Sequence, residues 1–329
     1  MTAMPIPRPV LYPPFNIVRI SHVVYAVPDL ERSRAFYVDL LGLQVTAETE
    51  DALYLRALEE RGHHSIAFVR GERAAVEVIG FKVFANEDLD KAAAFFTQRD
   101  LPVQWVNLPF QGRTLRTVDP QGMPIEFYHH MDRLPSIHQR YNLYRGARPL
   151  RIDHCNCFSD DVDAAVEFYN AIGFRLTEYT ATEETDLLWA AWLHRKGGVH
   201  DIAFTNGAGP RLHHIAFWVS SPLNIIDFLD LMATTGHISN IERGPGRHGI
   251  ANAFFLYVRD PDGNRIELYC SDYQTVDPDH EPIRWNLRDP QRQTLWGAPA
   301  PRSWFEEGSQ FAGAEPREAK LKAMPIVAP

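Results

Sequence analysis

RISHVVYAVPDLERSRAFYVDLLGLQV (19–45) and RIDHCNCFSDDVDAAVEFYNAIGFRLT (151–177) carry one pattern twice: a strand, an acidic turn, a helix with Phe-Tyr, then a glycine. The pairing starts at a constant offset of 132, from Arg19 to Arg151. Farther along, GHHSIAF (62–68) matches VHDIAF (199–204), and TVDPQGMPIEFYH (117–129) matches VRDPDGNRIELYC (258–270). Self-similarity in the same order over this length marks an internal duplication. It places a boundary near Leu143 to Pro149 and predicts domains over 1–148 and 149–288, followed by a tail over 289–329.

Within each half the elements repeat again. The runs 29–42, 88–100, 161–173 and 223–236 read as helices, opened by acidic or polar cap regions or a proline and mostly closed by glycine. Between them lie short alternating runs such as LHHIAFWV (212–219) and AFFLYV (253–258), bounded by Gly, Pro and Asp. The pattern predicts an α+β chain of four βαβββ modules, paired into two barrel-like domains. The stretch from Asp289 onward is rich in Pro, Ala and charge, and reads as an extended tail that could lie over a site as a lid.

Composition removes whole classes of function. A chain of 329 residues with 45% hydrophobic content can bury a sizeable core. Its net charge of −9 argues against a nucleic-acid-binding surface. MTAMPIPRPVLYPPF (1–15) has no apolar h-region and no later stretch approaches a membrane span, so a cytoplasmic protein is expected. Cys155, Cys157 and Cys270 are too few and odd in number for a disulfide framework.

Strand alternation then sorts the polar residues. In RIDHCNCF, Ile152, His154, Asn156 and Phe158 share a face, with Cys155 and Cys157 on the other as core residues. In RLHHIAFWV, His213, Ile215, Phe217 and Val219 form an apolar face expected to pack on helices, which leaves His214 beside small Ala216 on the concave side. In NRIELY, Glu267 lies opposite the apolar Ile266 and Leu268. His154, His214 and Glu267 thus leave their strands on the non-core side. Singly, each would be an ordinary structural residue. Together, two imidazoles and one carboxylate can hold a metal on one face and leave the other face open, the pattern of non-haem Fe(II) oxygen chemistry. Mn(II) suits the same ligands. The first half has His22 and Glu126 at the matching places but Val78 where the second histidine would stand, so it is expected to be a metal-free structural copy.

The segments RIDHCN (151–156), 190–217, IERGPGRHG (241–249), 252–269 and WNLRDPQRQTLWG (285–297) resemble the extradiol ring-cleaving catechol dioxygenases of the vicinal oxygen chelate fold. The resemblance covers about residues 15–305 and is strongest to the branch that opens homoprotocatechuate (3,4-dihydroxyphenylacetate). It implies that His154, His214 and Glu267 bind the metal, that Asn156, Trp192, His200, His248 and Tyr257 surround it, and that Arg243 meets the substrate carboxylate. The substrates implied are a catechol and O2, and the assembly a homotetramer. His200 suits proton transfer near neutral pH. Tyr257 and His248 would hold substrate oxygens by hydrogen bonds, and Asn156 would support the site from the strand of His154. Trp192 would wall the ring pocket.

One position departs from the family. Members acting on homoprotocatechuate often carry two adjacent arginines in the tail segment, where this chain has Gln291, Arg292 and Gln293. Recognition of an acetate side chain then falls to Arg243 and Arg292, and another substituted catechol is the alternative. A glyoxalase-like isomerase or 2-oxoacid-dependent oxygenase on this fold is disfavoured by the set His200, His248 and Tyr257, and a metal-free aromatic binder by the complete triad.

Overall fold

The computed structural model describes residues 6–324; residues 1–5, part of the segment read for a leader, and 325–329, the end of the tail, lie outside the described residues. The first module runs through β1 (Ile17–Val27), α1 (Leu30–Arg34, continued by a π-helical turn over Ala35–Leu40), β2 (Gln44–Glu48), β3 (Ala52–Arg56) and β4 (Ile66–Arg70). The second comprises β5 (Ala75–Val83), α2 (Asn86–Thr97), β6 (Gln104–Leu108), β7 (Gly112–Val118) and β8 (Pro124–Tyr128). After a connecting segment, the third has β9 (Arg151–Ser159), α3 (Val162–Ala171), β10 (Arg175–Ala181), β11 (Leu188–His194) and β12 (Ile202–Asn206). The fourth has β13 (Arg211–Trp218), α4 (Pro222–Thr234), β14 (Ile241–Arg247), β15 (Phe254–Arg259) and β16 (Arg265–Cys270). Four βαβββ units are present, in the order the repeats predict.

Helix starts follow local chemistry. Asp29 and Asp161 accept the backbone N–H of Arg32 and Ala164, and Ser221 caps α4 ahead of Pro222, satisfying donors that a helix leaves free. Each module closes with its last strand parallel to its first, and two modules meet through antiparallel first strands, β1 with β5 and β9 with β13. The sheets run β2-β3-β4-β1-β5-β8-β7-β6 and β14-β15-β16-β13-β9-β12-β11-β10. Strands from β15 across to β11 line one cavity, so the second sheet is curled around it.

The repeated motifs lock the halves reciprocally. Tyr37 in the first Phe-Tyr pair donates to Asp260 of the second-half Asp-Pro-Asp-Gly turn at 2.9 Å. Tyr169 in the other pair donates to Asp119 of the first-half Asp-Pro-Gln-Gly turn at 3.4 Å. Between them one apolar core runs through both sheets, with Phe81 packed edge-on to Phe174 and Phe96 against Phe168. Among the described residues no helix is long and apolar enough to cross a membrane.

Two expectations need correction. The segment after Asp289 is not simply extended: a 3₁₀ turn covers Pro290–Arg292, α5 covers Arg302–Glu306, and β18 (Ser309–Gln310) pairs with β13, while just before it β17 (Ile283–Asn286) lengthens the second sheet beside β10. Large aromatics such as Trp304, which is buried, require a seat, and the second sheet provides it. The second correction concerns β13. Opposite the step from Cys157 to Asn156 stand Leu212 and His214, so His213 is the extra residue of a β-bulge. Leu212 takes the core position, while His213 packs edge-on to Phe158 and to Trp304 of α5. A second irregularity, between Ala216 and Phe217, lets Ile152 enter the core although His154 two residues on faces the cavity.

Candidate metal centre and substrate cavity

His154 on β9, His214 on β13 and Glu267 on β16 come together because their strands are adjacent. Ala216 is the residue across from both His154 and Glu267, and its small side chain leaves room between them. The ligating atoms form a triangle: His154 Nε2 to Glu267 Oε2 is 3.0 Å, His214 Nε2 to the same oxygen 3.1 Å, and the two Nε2 atoms are 3.3 Å apart. Metal bonds of about 2.1 Å at right angles give edges of about 3.0 Å, so the triangle fits one face of an octahedron. Glu267 Oε1 is buried with no hydrogen-bond partner, spare capacity that a cation would use. Among the described residues this is the one group of three or more potential ligands that converges in this way.

The surroundings set the charges. Burial alone would lower His154, but hydrogen bonds with Asp153 and Glu267 carry it up to about 9. Asp153 Oδ2 lies 2.9 Å from His154 Nδ1 and leaves Nε2 to face the triangle. Burial would raise Glu267, yet the two imidazoles hold it well below the usual carboxylate range. The site therefore offers an ionised carboxylate wherever a metal would bind.

Above the triangle is a cavity lined by His200, His248 and Tyr257. His200, from the turn between β11 and β12, packs against His154 with ring centres 3.8 Å apart and planes tilted by 39°, and its Nδ1 is buried without a partner. Burial, then the charge of His154, holds its pKa well below the usual histidine value, so it is neutral. Lys196 fixes the turn by donating to the carbonyls of Asp153 and His200. His248 donates from Nδ1 to the Gln293 carbonyl, which leaves Nε2 to accept from the Tyr257 hydroxyl at 3.1 Å. Burial, with Arg243 nearby, lowers His248 to about 3, while burial and the charge of Glu267 keep Tyr257 a phenol.

Asn156, Trp192 and Arg292 also line the cavity. Thr205 donates to Asn156 at 3.1 Å, and Arg292 lies over the Trp189 ring at 5.0 Å. Arg243 is placed differently, behind the wall. Its guanidinium carbon is 4.7 Å from the Phe255 ring centre, 5.1 Å from Trp304 and 5.9 Å from Tyr257. Nη2 donates to the Gln293 carbonyl and Thr294 Oγ1, whereas Nε and Nη1 have no acceptor.

Strand logic overlooked Trp189, Tyr269 and Trp304 in the wall. Trp189 is out of phase with Trp192, but it is the unpaired residue where β10 and β11 slip register, which turns it inward. Tyr269 shares the face of Glu267, so alternation contained the signal. For Trp304 the signal was a Trp-Phe pair in an otherwise polar tail.

The first half shows the same frame locked shut. Val78 stands across from Val24 as His214 stands across from Asn156, with the same bulge one residue before. His22 meets Glu126 directly at 2.8 Å, and Gln111 and Arg116 take the remaining carboxylate capacity. A Cβ at Gly80 would lie 2.1 Å from the His22 ring, so only glycine fits under it.

A family model described as the Glyoxalase/Bleomycin resistance protein/Dioxygenase superfamily matches residues 19–127 and again 151–268. The manganese-dependent 2,3-dihydroxybiphenyl 1,2-dioxygenase of Geobacillus genomosp. 3 is 32% identical over 302 residues, 86% of this chain and 95% of the relative. Metapyrocatechase of Geobacillus stearothermophilus is 29% identical over 320 residues, 92% of this chain and 97% of the relative. The solved anaerobic complex of homoprotocatechuate 2,3-dioxygenase from Brevibacterium fuscum with 3,4-dihydroxyphenylacetate has a TM-score of 0.90 at 41% identity, covering 94% of this chain and 99% of that one. The chain belongs to this superfamily, in its extradiol dioxygenase branch. As a metal-dependent enzyme of that branch it has the half-barrel sheets and paired modules of its relatives, with one converged triad among the described residues.

Proposed function

We propose that this extradiol dioxygenase inserts both atoms of O2 into 3,4-dihydroxyphenylacetate, giving a 2-hydroxymuconic semialdehyde derivative, at Fe(II) held by His154, His214 and Glu267. The observation that carries the reading is the triangle of ligand atoms under a cavity lined by His200, His248 and Tyr257. The bound metal would supply a common site through which electrons pass from a catecholate to O2. Neutral His200, beside His154 and with a free ring nitrogen, is placed to take a proton from a substrate hydroxyl and return it during ring opening. Tyr257 would turn its O–H from His248 Nε2 to a developing negative oxygen, and His248 would join it once Nε2 carries a proton. Trp192 and Asn156 hold the ring plane, and Arg292 in the cavity lining, joined by Arg243 once the Trp304–Tyr257 wall shifts, gives the acetate group its cations. Mn(II) is the alternative metal, and a relative named manganese-dependent supports testing it. Gln293 favours a second reading of the substrate alone, a catechol with an uncharged substituent.

The residues 149–288 form the catalytic domain in this proposal, 1–148 the structural copy and 289–329 the lid, in a cytoplasmic homotetramer. Light scattering on the purified protein tests the assembly. For the activity, anaerobic protein loaded with Fe(II) is given 3,4-dihydroxyphenylacetate and then air. A yellow product with uptake of one O2 per substrate is expected. Colourless mixtures across a panel of catechols would refute ring cleavage, and metal analysis after expression without supplementation decides between iron and manganese.

A further inference from the structure

The bulge that removes His213 from the core places its imidazole between a proposed metal ligand and the C-terminal segment. His213 Nδ1 is 2.6 Å from His214 Nδ1, and His213 Nε2 is 2.8 Å from the Trp304 carbonyl oxygen. A carbonyl only accepts, so His213 Nε2 carries the proton. A neutral imidazole has one N–H and one lone pair. His213 Nδ1 is therefore bare, and His214 Nδ1 must donate to it. That leaves the lone pair of His214 on Nε2, the atom facing Glu267 and His154. A backbone carbonyl thus dictates the tautomer of His214 through one intervening ring.

The same residue anchors α5. Arg265 donates to the His213 carbonyl at 2.8 Å and to the carbonyls of Glu307 and Ser303 at 3.1 and 3.2 Å. Glu242 binds Arg265 and Ser303 together. Trp304, carried by α5, lines the cavity. We propose that His213 is a positioning residue that fixes the tautomer and ring plane of His214 and ties this ligand to the helix carrying Trp304. Outer partners of metal-bound histidines commonly set ligand basicity and orientation. The inference rests on the proposed metal site.

Mn(II) titration of the chelator-treated full-length protein, followed by electron paramagnetic resonance, tests it. His213→Phe keeps an aromatic ring but no nitrogen, and should weaken Mn(II) binding about 10- to 100-fold and change the bound-ion spectrum. His213→Asn keeps an acceptor at the Nδ1 position and should restore binding and spectrum. His213→Gln keeps the donor toward Trp304 but not that acceptor, and should bind as weakly as His213→Phe. Parent-like binding by His213→Phe or His213→Gln would overturn the role, as would His213→Asn failing while its thermal melt matches the parent. Failure of the parent itself to bind Mn(II) would overturn the metal site and this inference together. Parent binding with unaltered variants would overturn only the latter.

Discussion

Replacing Arg243 with Met should separate substrates by charge. The Arg243 side chain is 2% exposed, burial brings its pKa down to about 10, and two of its nitrogens, Nε and Nη1, have no acceptor. That depression from above 12 corresponds to on the order of 3 kcal/mol of cost for holding the cation there. Three aromatic rings return part of it, at about 0.5–2 kcal/mol for such contacts. Arg243 stands behind Trp304 and Tyr257, so a substrate carboxylate accepts from Nε and Nη1 only once that wall shifts, and those charge-assisted hydrogen bonds would then supply about 1.5–3 kcal/mol, or roughly 10- to 150-fold in kcat/KM. Met keeps the length and the packing on Phe255 and Trp304 without charge. The expected result in Arg243→Met is a 10- to 150-fold fall in kcat/KM for 3,4-dihydroxyphenylacetate relative to 4-methylcatechol, roughly the value of those bonds. With the unpaired charge gone, the ligand-free melting temperature should stay level or rise. Oxygen uptake with both substrates at matched metal content measures the ratio. Equal losses on the two substrates would refute the role of Arg243, and a lower melting temperature would refute the claim that its charge is uncompensated.

Other perturbations address single links. His200→Phe should slow turnover at least about 100-fold while metal content stays near the parent's, and loss of metal would instead make His200 a ligand. Gly80→Ala forces a Cβ to 2.1 Å from the buried His22 ring. Urea denaturation should show a loss of about 1–3 kcal/mol, and an unchanged midpoint would mean that His22 moves freely. Burial holds Asp119 and Asp260 at about 6. These raised groups contribute stability that is full below about pH 4 and lost as pH rises through their folded values. For Glu126, burial is outweighed by bonding to His22, which keeps it at about 2, so its contribution is present above the unfolded value and lost as pH falls toward 2. The melting temperature should therefore rise from about pH 7 to 5 and fall below about 4. An Asp119→Asn/Asp260→Asn double variant should lose the rise, and a parent melting temperature that falls between pH 7 and 5 would contradict the reasoning.

The legible part of this protein was whatever depends on local period and repetition. Alternation along β9, β13 and β16 selected His154, His214 and Glu267, because side chains two apart share a face. The matching of the halves set Val78 at the place of His214, and the register of β1 with β5 shows that correspondence in space. Alternation failed where register slips. His213 and Trp189 are the extra residues at irregular pairings, and a slip reverses the face of each. Nothing within LHHIAF distinguishes a bulge from a regular strand, since the partner strand sets the pairing.

The sequence by itself pointed to the four modules, to the converging residues His154, His214 and Glu267, and to Val78 as the first-half position that breaks the pattern, because each rests on periodicity, turn chemistry or internal comparison. Tertiary structure alone decided that Arg243 lies behind the cavity wall, that α5 seats Trp304 in that wall, and that His213 joins the two. These facts depend on contacts between residues 50 to 91 positions apart, such as Arg243 with the Gln293 carbonyl and His213 with the Trp304 carbonyl. Such contacts form only when the sheet has curled and the tail has found it, and no local pattern encodes their partners.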